Sequence, residues 1–370
     1  MPVPQRQKSF DLLESLPPYT PQKIMDLIRA EGYVGQPRAV KSVSLWAFRH
    51  LARLRKIHLR GISRETLPPK TNLLFAGPTG CGKTFLIEIL CRGILRLPTV
   101  ICDVTGFSET GYVGQDVNSI LTRLLYAADL DANLCTLGVV CLDEFDKLSS
   151  GQNNLLFAGA GTSKDVSGLG VQRELLKLLE KAEIPVPLEL THSDITPRPL
   201  ISTQDIVYVA CGTFSGFKGL IDRRDSERIG FGRASSALPA GRIAAGFSEN
   251  DVSLVRNFQD YGFLPELIGR FKRIIPFASL GAEQLKTILT QNILVRYRNE
   301  FGLDGIELEV DDRVLDRIVG SGVERETGAR GIDAAFIQCL EEAAFETYSQ
   351  PGAGRVRISL TGREIHFDVS

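Results

Sequence analysis

Gly77-Pro78-Thr79-Gly80-Cys81-Gly82-Lys83-Thr84 carries the spacing G-x-x-x-x-G-K-[ST] at every fixed position. Glycines let successive backbone N–H groups turn inward around phosphate oxygens. A helix beginning near Lys83 aims the positive end of its dipole at the same point. Lys83 is the cation for the terminal phosphates, and Thr84 offers a hydroxyl to Mg²⁺. Phe85 opens the helical run that follows. Residues 77–85 therefore predict a site for ATP with Mg²⁺. About sixty residues downstream, Val139-Val140-Cys141-Leu142 is an apolar run that ends in two acids, Asp143 and Glu144. A strand buried on both faces does not end that way without a reason. Asp143 suits orientation of the cation, directly or through water, and Glu144 suits polarisation of the attacking water; phosphoryl transfer needs both. The four histidines (His50, His58, His192, His366) are scattered, and neither a G-x-S-x-G elbow nor an HExxH pair occurs, so no peptidase chemistry is expected from this chain itself.

These residues need elements to hold them. Residues 72–76, 99–104, 137–142 and 206–211 are short apolar runs that read as buried parallel strands, and 85–95 has helical spacing. Such alternation predicts an α/β fold, a parallel sheet covered by helices on both faces. After about residue 276 the pattern turns helical (281–301, 311–321, 331–348), with strand-like runs at 306–310 and 355–369. The expected organisation is a flexible arm over 1–19 closed by Pro17 and Pro18, a large α/β ATPase domain over 20–275, and a smaller α-rich domain over 276–370. Thr20 and Pro21 look like the cap and first position of a helix. A second helical pattern over 37–59 carries Arg49, Arg53, Arg55 and Lys56, with Arg60 just beyond; it reads as a solvated face. Residues 149–168 and 222–246 are rich in small and polar types and predict long loops of functional or disordered character.

With 370 residues the chain is long enough for two cores, and its net charge of -1 argues against nucleic acid as the partner. No apolar run is long enough to span a bilayer, and the N-terminus is not built as a signal peptide, so no membrane association and a cytoplasmic location are expected. Seven cysteines, an odd number without CxxC spacing, predict reduced, buried thiols and no zinc site.

The P-loop, Leu142-Asp143-Glu144-Phe145-Asp146-Lys147 and several later blocks resemble the AAA+ core of the ClpX family, the unfoldase partners of the ClpP peptidase, over roughly residues 18–348. That resemblance implies an AAA+ P-loop NTPase working as a homo-hexamer. It implies that Gly111-Tyr112-Val113-Gly114 is a pore loop whose Tyr112 and Val113 grip protein substrates, and that 163–168 with the helix after it forms a second. By the same resemblance Tyr33 and Val34 hold the adenine base, Arg270 of Phe263-Leu-Pro-Glu-Leu-Ile-Gly-Arg270 is an arginine finger reaching a neighbouring subunit, and Arg330 of Gly328-Ala-Arg-Gly331 is the sensor 2 arginine. Thr213 occupies the sensor 1 region. Ile229-Gly230-Phe231 matches the tripeptide that docks on a ClpP-like peptidase. Two departures stand out. The four-cysteine zinc domain usual at the family's N-terminus has no counterpart, and residues 183–200 hold prolines, acids and His192 where an Arg-Lys-His pore-entrance loop is usual. The implied function is ATP-dependent unfolding and translocation of protein into a ClpP-like peptidase. Two alternatives are a protease-independent remodelling chaperone, for which Ile229, Gly230 and Phe231 would be dispensable, and a nucleic-acid motor, which would want a basic channel.

Overall fold

The computed structural model describes residues 5–107, 116–149, 166–180, 182–187, 198–217, 219, 255–350, 352, 354–362 and 364–370. Tyr112, Val113, Ile229, Gly230, Phe231 and His192 lie outside the described residues, as do most of 149–168 and all of 222–246. By contacts the chain divides into two compact units. The first comprises Met1–Ile28, Pro37–Gly77 and Lys83–Phe277; the second comprises Arg29–Gln36, Pro78–Gly82 and Ala278–Ser370.

The strands of the first unit are β1 (Leu73–Ala76), β2 (Thr99–Asp103), β3 (Val139–Asp143), β4 (Glu183–Pro185), β5 (Leu200–Ser202), β6 (Val207–Gly212) and β7 (Arg273–Pro276). Among the described residues five of them form one sheet in the order β2-β3-β6-β1-β7, and every neighbouring pair is parallel. β1 and β6 are buried along their whole length, which is why they read as unbroken apolar runs instead of alternating ones. The short antiparallel pair β4-β5 and the edge strand β7 were not expected. An arginine and a terminal proline disguise β7, and both are acceptable only because it lies at the sheet edge.

The helices of this unit are α1 (Gln5–Ser15), α2 (Pro21–Ala30), α3 (Pro37–His58), α4 (Lys83–Ile87), α5 (Ser119–Ala127), α6 (Ala132–Cys135), α7 (Val166–Glu180), α8 (Val255–Tyr261) and α9 (Pro265–Ile268). α4 runs on through a wider π-type turn, Glu88–Ile94. Thr20 caps α2 as expected, its hydroxyl accepting from the Lys23 N–H at 3.1 Å. Two expectations need correction. Residues 1–19 are not simply a loose arm, because 5–15 are helical; Leu13 and Leu16 are buried, and Arg55 donates to the carbonyls of Leu13, Leu16 and Pro17. Nor is the basic face of α3 uniformly solvated. Arg49, Lys56 and Arg60 are exposed, but Arg53 and His58 turn inward onto the buried carboxylate of Asp205 at 2.5 and 3.0 Å.

The second unit has its own core, with Leu285, Leu289, Val314, Leu315, Ile332, Phe336 and Val356 at its centre. It contains α10 (Ala282–Ile288), α11 (Leu294–Leu303), β8 (Glu307–Val310), α12 (Asp312–Glu324), α13 (Gly328–Tyr348), β9 (Arg355–Thr361) and β10 (Glu364–Val369). α10 and α11 are joined through a π-type turn, Leu289–Ile293. The sheet order is β10-β9-β8. The run expected as one strand at 355–369 folds back as a hairpin at Gly362, whose φ of +64° suits a residue without Cβ.

Candidate functional site

In the first unit the chemistry-bearing residues collect at one edge of the sheet. β1 delivers the chain to Gly77, whose N–H donates to the Gly212 carbonyl at 3.1 Å. A Cβ at Gly77 would lie 2.5 Å from the Phe277 carbonyl oxygen, so only glycine lets these segments approach. Lys83, 8% exposed, donates from Nζ to the Gly77 carbonyl at 2.7 Å. The next residue, Thr84, donates from Oγ1 to Asp143 Oδ2 at 2.9 Å. Asp143 ends β3, and its Oδ1 accepts from the Glu144 N–H at 3.0 Å. Glu144 is exposed in the left-handed region, φ +55°, a conformation that costs a non-glycine residue energy and that clusters at working sites. The two residues expected to serve the cation, Thr84 and Asp143, are thus in direct contact.

Thr213 follows β6 on the strand between β3 and β1, at the same edge. Its N–H donates to Asp146 Oδ1 at 2.9 Å, and its hydroxyl donates to Asp146 Oδ2 at 2.8 Å. Arg270 lies beyond α9, half-exposed, with its guanidinium paired to Glu180 at the end of α7.

In the second unit the glycines of Pro78–Gly82 take the conformations that the spacing demanded: φ is +70° at Gly80 and +92° at Gly82. The Gly80 carbonyl accepts from the Ala329 N–H at 3.1 Å, and a Cβ on Gly80 would meet the Thr327 carbonyl at 2.7 Å. Arg330, the next residue, is exposed in the first turn of α13. Tyr33 is buried, and its hydroxyl donates to the Gly82 carbonyl at 3.2 Å; Val34 beside it is half-buried. Gln36 was not singled out. Its Nε2 donates to the Ala278 carbonyl at 2.6 Å and its Oε1 accepts from the Ala278 N–H at 3.0 Å, while Nε2 also reaches the Cys81 carbonyl at 3.5 Å. Its φ of +50° leaves no trace in the sequence. Asp146 was likewise unassigned, although it stands two residues past Glu144 within a quoted motif.

The residues fit a nucleotide with a divalent cation. Within the first unit Lys83 supplies positive charge, and Thr84 with Asp143 supplies an oxygen pair of the kind Mg²⁺ prefers. All seven cysteines are free thiols; burial pushes Cys91 and Cys135 up to about 12, with the Asp131 carboxylate adding to the effect at Cys135. Among the described residues no helix is long and apolar enough to cross a membrane.

Comparison with known proteins agrees with this geometry. The AAA domain (Cdc48 subfamily) family model matches residues 68–274, and that of the C-terminal, D2-small domain, of ClpB protein matches 280–352. The chain is 34% identical to the ATP-dependent Clp protease ATP-binding subunit ClpX of Azotobacter vinelandii, covering 97% of this chain and 81% of that protein. It is 32% identical to the ATP-dependent Clp protease ATP-binding subunit ClpX 2 of Wolinella succinogenes, covering 96% of this chain and 84% of that protein.

Proposed function

The chain belongs to the ClpX family of AAA ATP-binding subunits, and from that premise we propose how its residues run the reaction. It is a nucleotide-binding ATPase of the unfoldase type. The observation that carries the reading is the Thr84–Asp143 hydrogen bond, which joins the P-loop helix to the end of β3 beside Lys83.

Residues 77–85 hold the phosphates of ATP, with Tyr33 and Val34 at the base and Arg330 as a further nucleotide contact. Lys83 exchanges the Gly77 carbonyl for phosphate oxygens. Thr84 and Asp143 would hold Mg²⁺, and that ion when bound would offset negative charge on the phosphoryl oxygens. Glu144 draws a proton from the attacking water. In a homo-hexamer Arg270 leaves Glu180 and serves the neighbouring subunit's site, so that hydrolysis depends on assembly. Tyr112 and Val113 grip the protein substrate, and Ile229, Gly230 and Phe231 dock a ClpP-like peptidase. The peptidase, not this chain, cuts the unfolded polypeptide.

Degradation of a folded reporter with an unstructured tail tests this, run with ATP and a ClpP peptidase. Glu144→Gln is expected to lower kcat by ~10²–10⁴ while ATP still binds. Tyr112→Ala is expected to spare ATP binding and abolish unfolding. Phe231→Ala is expected to spare unfolding and abolish degradation. Degradation that persists with Phe231→Ala would remove the docking role; ATPase activity without unfolding on any tail would remove the unfoldase.

A further inference from the structure

We propose that Asp146 is a positioning residue for hydrolysis: it fixes the Thr213 hydroxyl as an acceptor for the attacking water, so that Thr213 works beside Glu144 and not as a donor to the γ-phosphate. The inference rests on the ATPase reading above and deepens it.

The geometry begins with donors and acceptors. Asp146 is 3% exposed, in the short turn Phe145–Leu148 directly after Glu144. Both of its oxygens are engaged by one residue, Oδ1 by the Thr213 N–H and Oδ2 by the Thr213 hydroxyl. A carboxylate only accepts, so the hydroxyl proton is committed to Oδ2 and the lone pairs of Oγ1 point elsewhere. Ser215 Oγ lies 3.3 Å from Thr213 Oγ1. With the threonine proton spent, Ser215 is the donor in that contact, and one lone pair of Thr213 remains.

The arrangement is held rigidly. A Cβ at Gly212 would fall 2.9 Å from Asp146 Oδ1 and 2.7 Å from the Phe214 ring, so glycine is what allows the strand end to close on the carboxylate. Phe214 takes a φ of +51° and is buried against Phe217, Phe258, Tyr261 and Phe263. The Tyr261 hydroxyl donates to the Ser215 carbonyl at 3.0 Å. On the other side of the contact, Phe145 stacks on Phe263 with centroids 5.1 Å apart. One aromatic cluster thus anchors both partners, and a fixed hydroxyl costs no reorganisation during reaction.

Chemistry assigns the role. An attacking water has two protons. Glu144 takes one as the bond from the water oxygen to the γ-phosphorus forms and the bond from that phosphorus to the bridging oxygen breaks, ADP leaving with the electron pair; the other proton needs an acceptor that aims the oxygen lone pair. Phosphate oxygens are acceptors too, and a hydroxyl without a free proton has nothing to offer them. β6 lies between β3, which ends in Asp143, and β1, which runs into Gly77, so Thr213 is at the edge where such an acceptor is needed.

The test uses the full chain, steady-state ATPase assays, and the affinities of methylanthraniloyl-ATP and methylanthraniloyl-ADP. In Asp146→Asn the amide donates to Thr213 Oγ1 and releases the hydroxyl proton outward. We expect kcat to fall ~10-fold or more with ATP affinity held within ~2-fold. Thr213→Val should lose a similar factor, Thr213→Ser should recover most of it, and the double variant Asp146→Asn with Thr213→Val should be no worse than the poorer single. Multiplying losses, an unchanged kcat in either single variant, or a Thr213→Val chain that loses its preference for ATP over ADP overturns the proposal. Should Asp146→Asn fail to fold, seen as lost ADP binding, the valine and serine variants decide alone: lost kcat with nucleotide preference intact supports it, and lost preference overturns it. A parent chain that binds ATP without hydrolysing it overturns both this proposal and the reading beneath it.

Discussion

Buried polar groups at single positions set what this molecule tolerates. The Gly77 Cβ position is filled by the backbone of Phe277, which cannot rotate away, so Gly77→Ala is expected to cost ~2–3 kcal/mol, read as a lower denaturant midpoint. His50 is buried with its ring 5.5 Å from that of Trp46 and nearly parallel to it, and its Nε2 has no partner among the described residues. Burial pushes this imidazole down to about 4, although the Asp205 carboxylate pulls the other way. The unfolded chain takes up a proton near pH 6.5 and the folded one does not until about 4. Stability therefore falls as pH drops through that window, by at most about 1.4 kcal/mol per pH unit from this group. His50→Phe keeps the stack and is expected to flatten that part of a urea-midpoint-versus-pH curve; an unchanged slope would show that His50 does not titrate this way. None of this was legible in the sequence, where His50 is one of four scattered histidines.

At the scale of elements, the C-terminal half of α3 is tied to the start of β6 by one carboxylate. Arg53, His58 and Arg64 all reach Asp205, and Lys70 donates to the carbonyls of Thr203 and Ile206 at 2.6 Å each. Burial alone would push the Asp205 carboxyl up; the hydrogen bonds from His58, Arg64 and Arg53 outweigh it and hold it well below the usual carboxylate range. With a depressed folded value, the stabilisation is complete above about pH 4, where the unfolded carboxyl ionises, and drains as pH falls from there toward the folded value. Asp205→Asn is expected to cost about 3 kcal/mol at neutral pH, because it strands cations that the fold has turned inward. The loss should shrink as the parent is taken below pH 4. Equal losses at pH 7 and pH 3 would mean that packing, not charge, is what Asp205 supplies.

The whole-molecule expectation concerns assembly. Within its own chain Arg270 pairs with Glu180, and both side chains are nearly half exposed, so the pair contributes little and can open. If Arg270 serves a neighbour, chains carrying Arg270→Ala and chains carrying Glu144→Gln are each inactive alone. Mixed in equal amounts they should regain activity, because about a quarter of the interfaces then join an intact Glu144 to an intact Arg270. No recovery on mixing would place Arg270 in its own subunit's chemistry or outside it.

Features that depend on near neighbours in the chain are readable from residue order. The P-loop spacing, the acid pair that ends an apolar strand, and the apolar runs of β1, β2, β3 and β6 are local patterns: glycine conformations, strand burial and motif chemistry are carried by consecutive residues. Tertiary structure alone decided the rest. Thr213 and Asp146 are 67 positions apart, Thr84 and Asp143 are 59 apart, and Arg53 and Asp205 are 152 apart. Only the order β2-β3-β6-β1-β7 brings such strand ends to one edge. Nothing in the types of Asp146 or Gln36 distinguishes them from the many acids and amides that face water. Their roles come from burial, which removes water as a competitor and leaves each polar atom to be satisfied by the group that the fold sets opposite it.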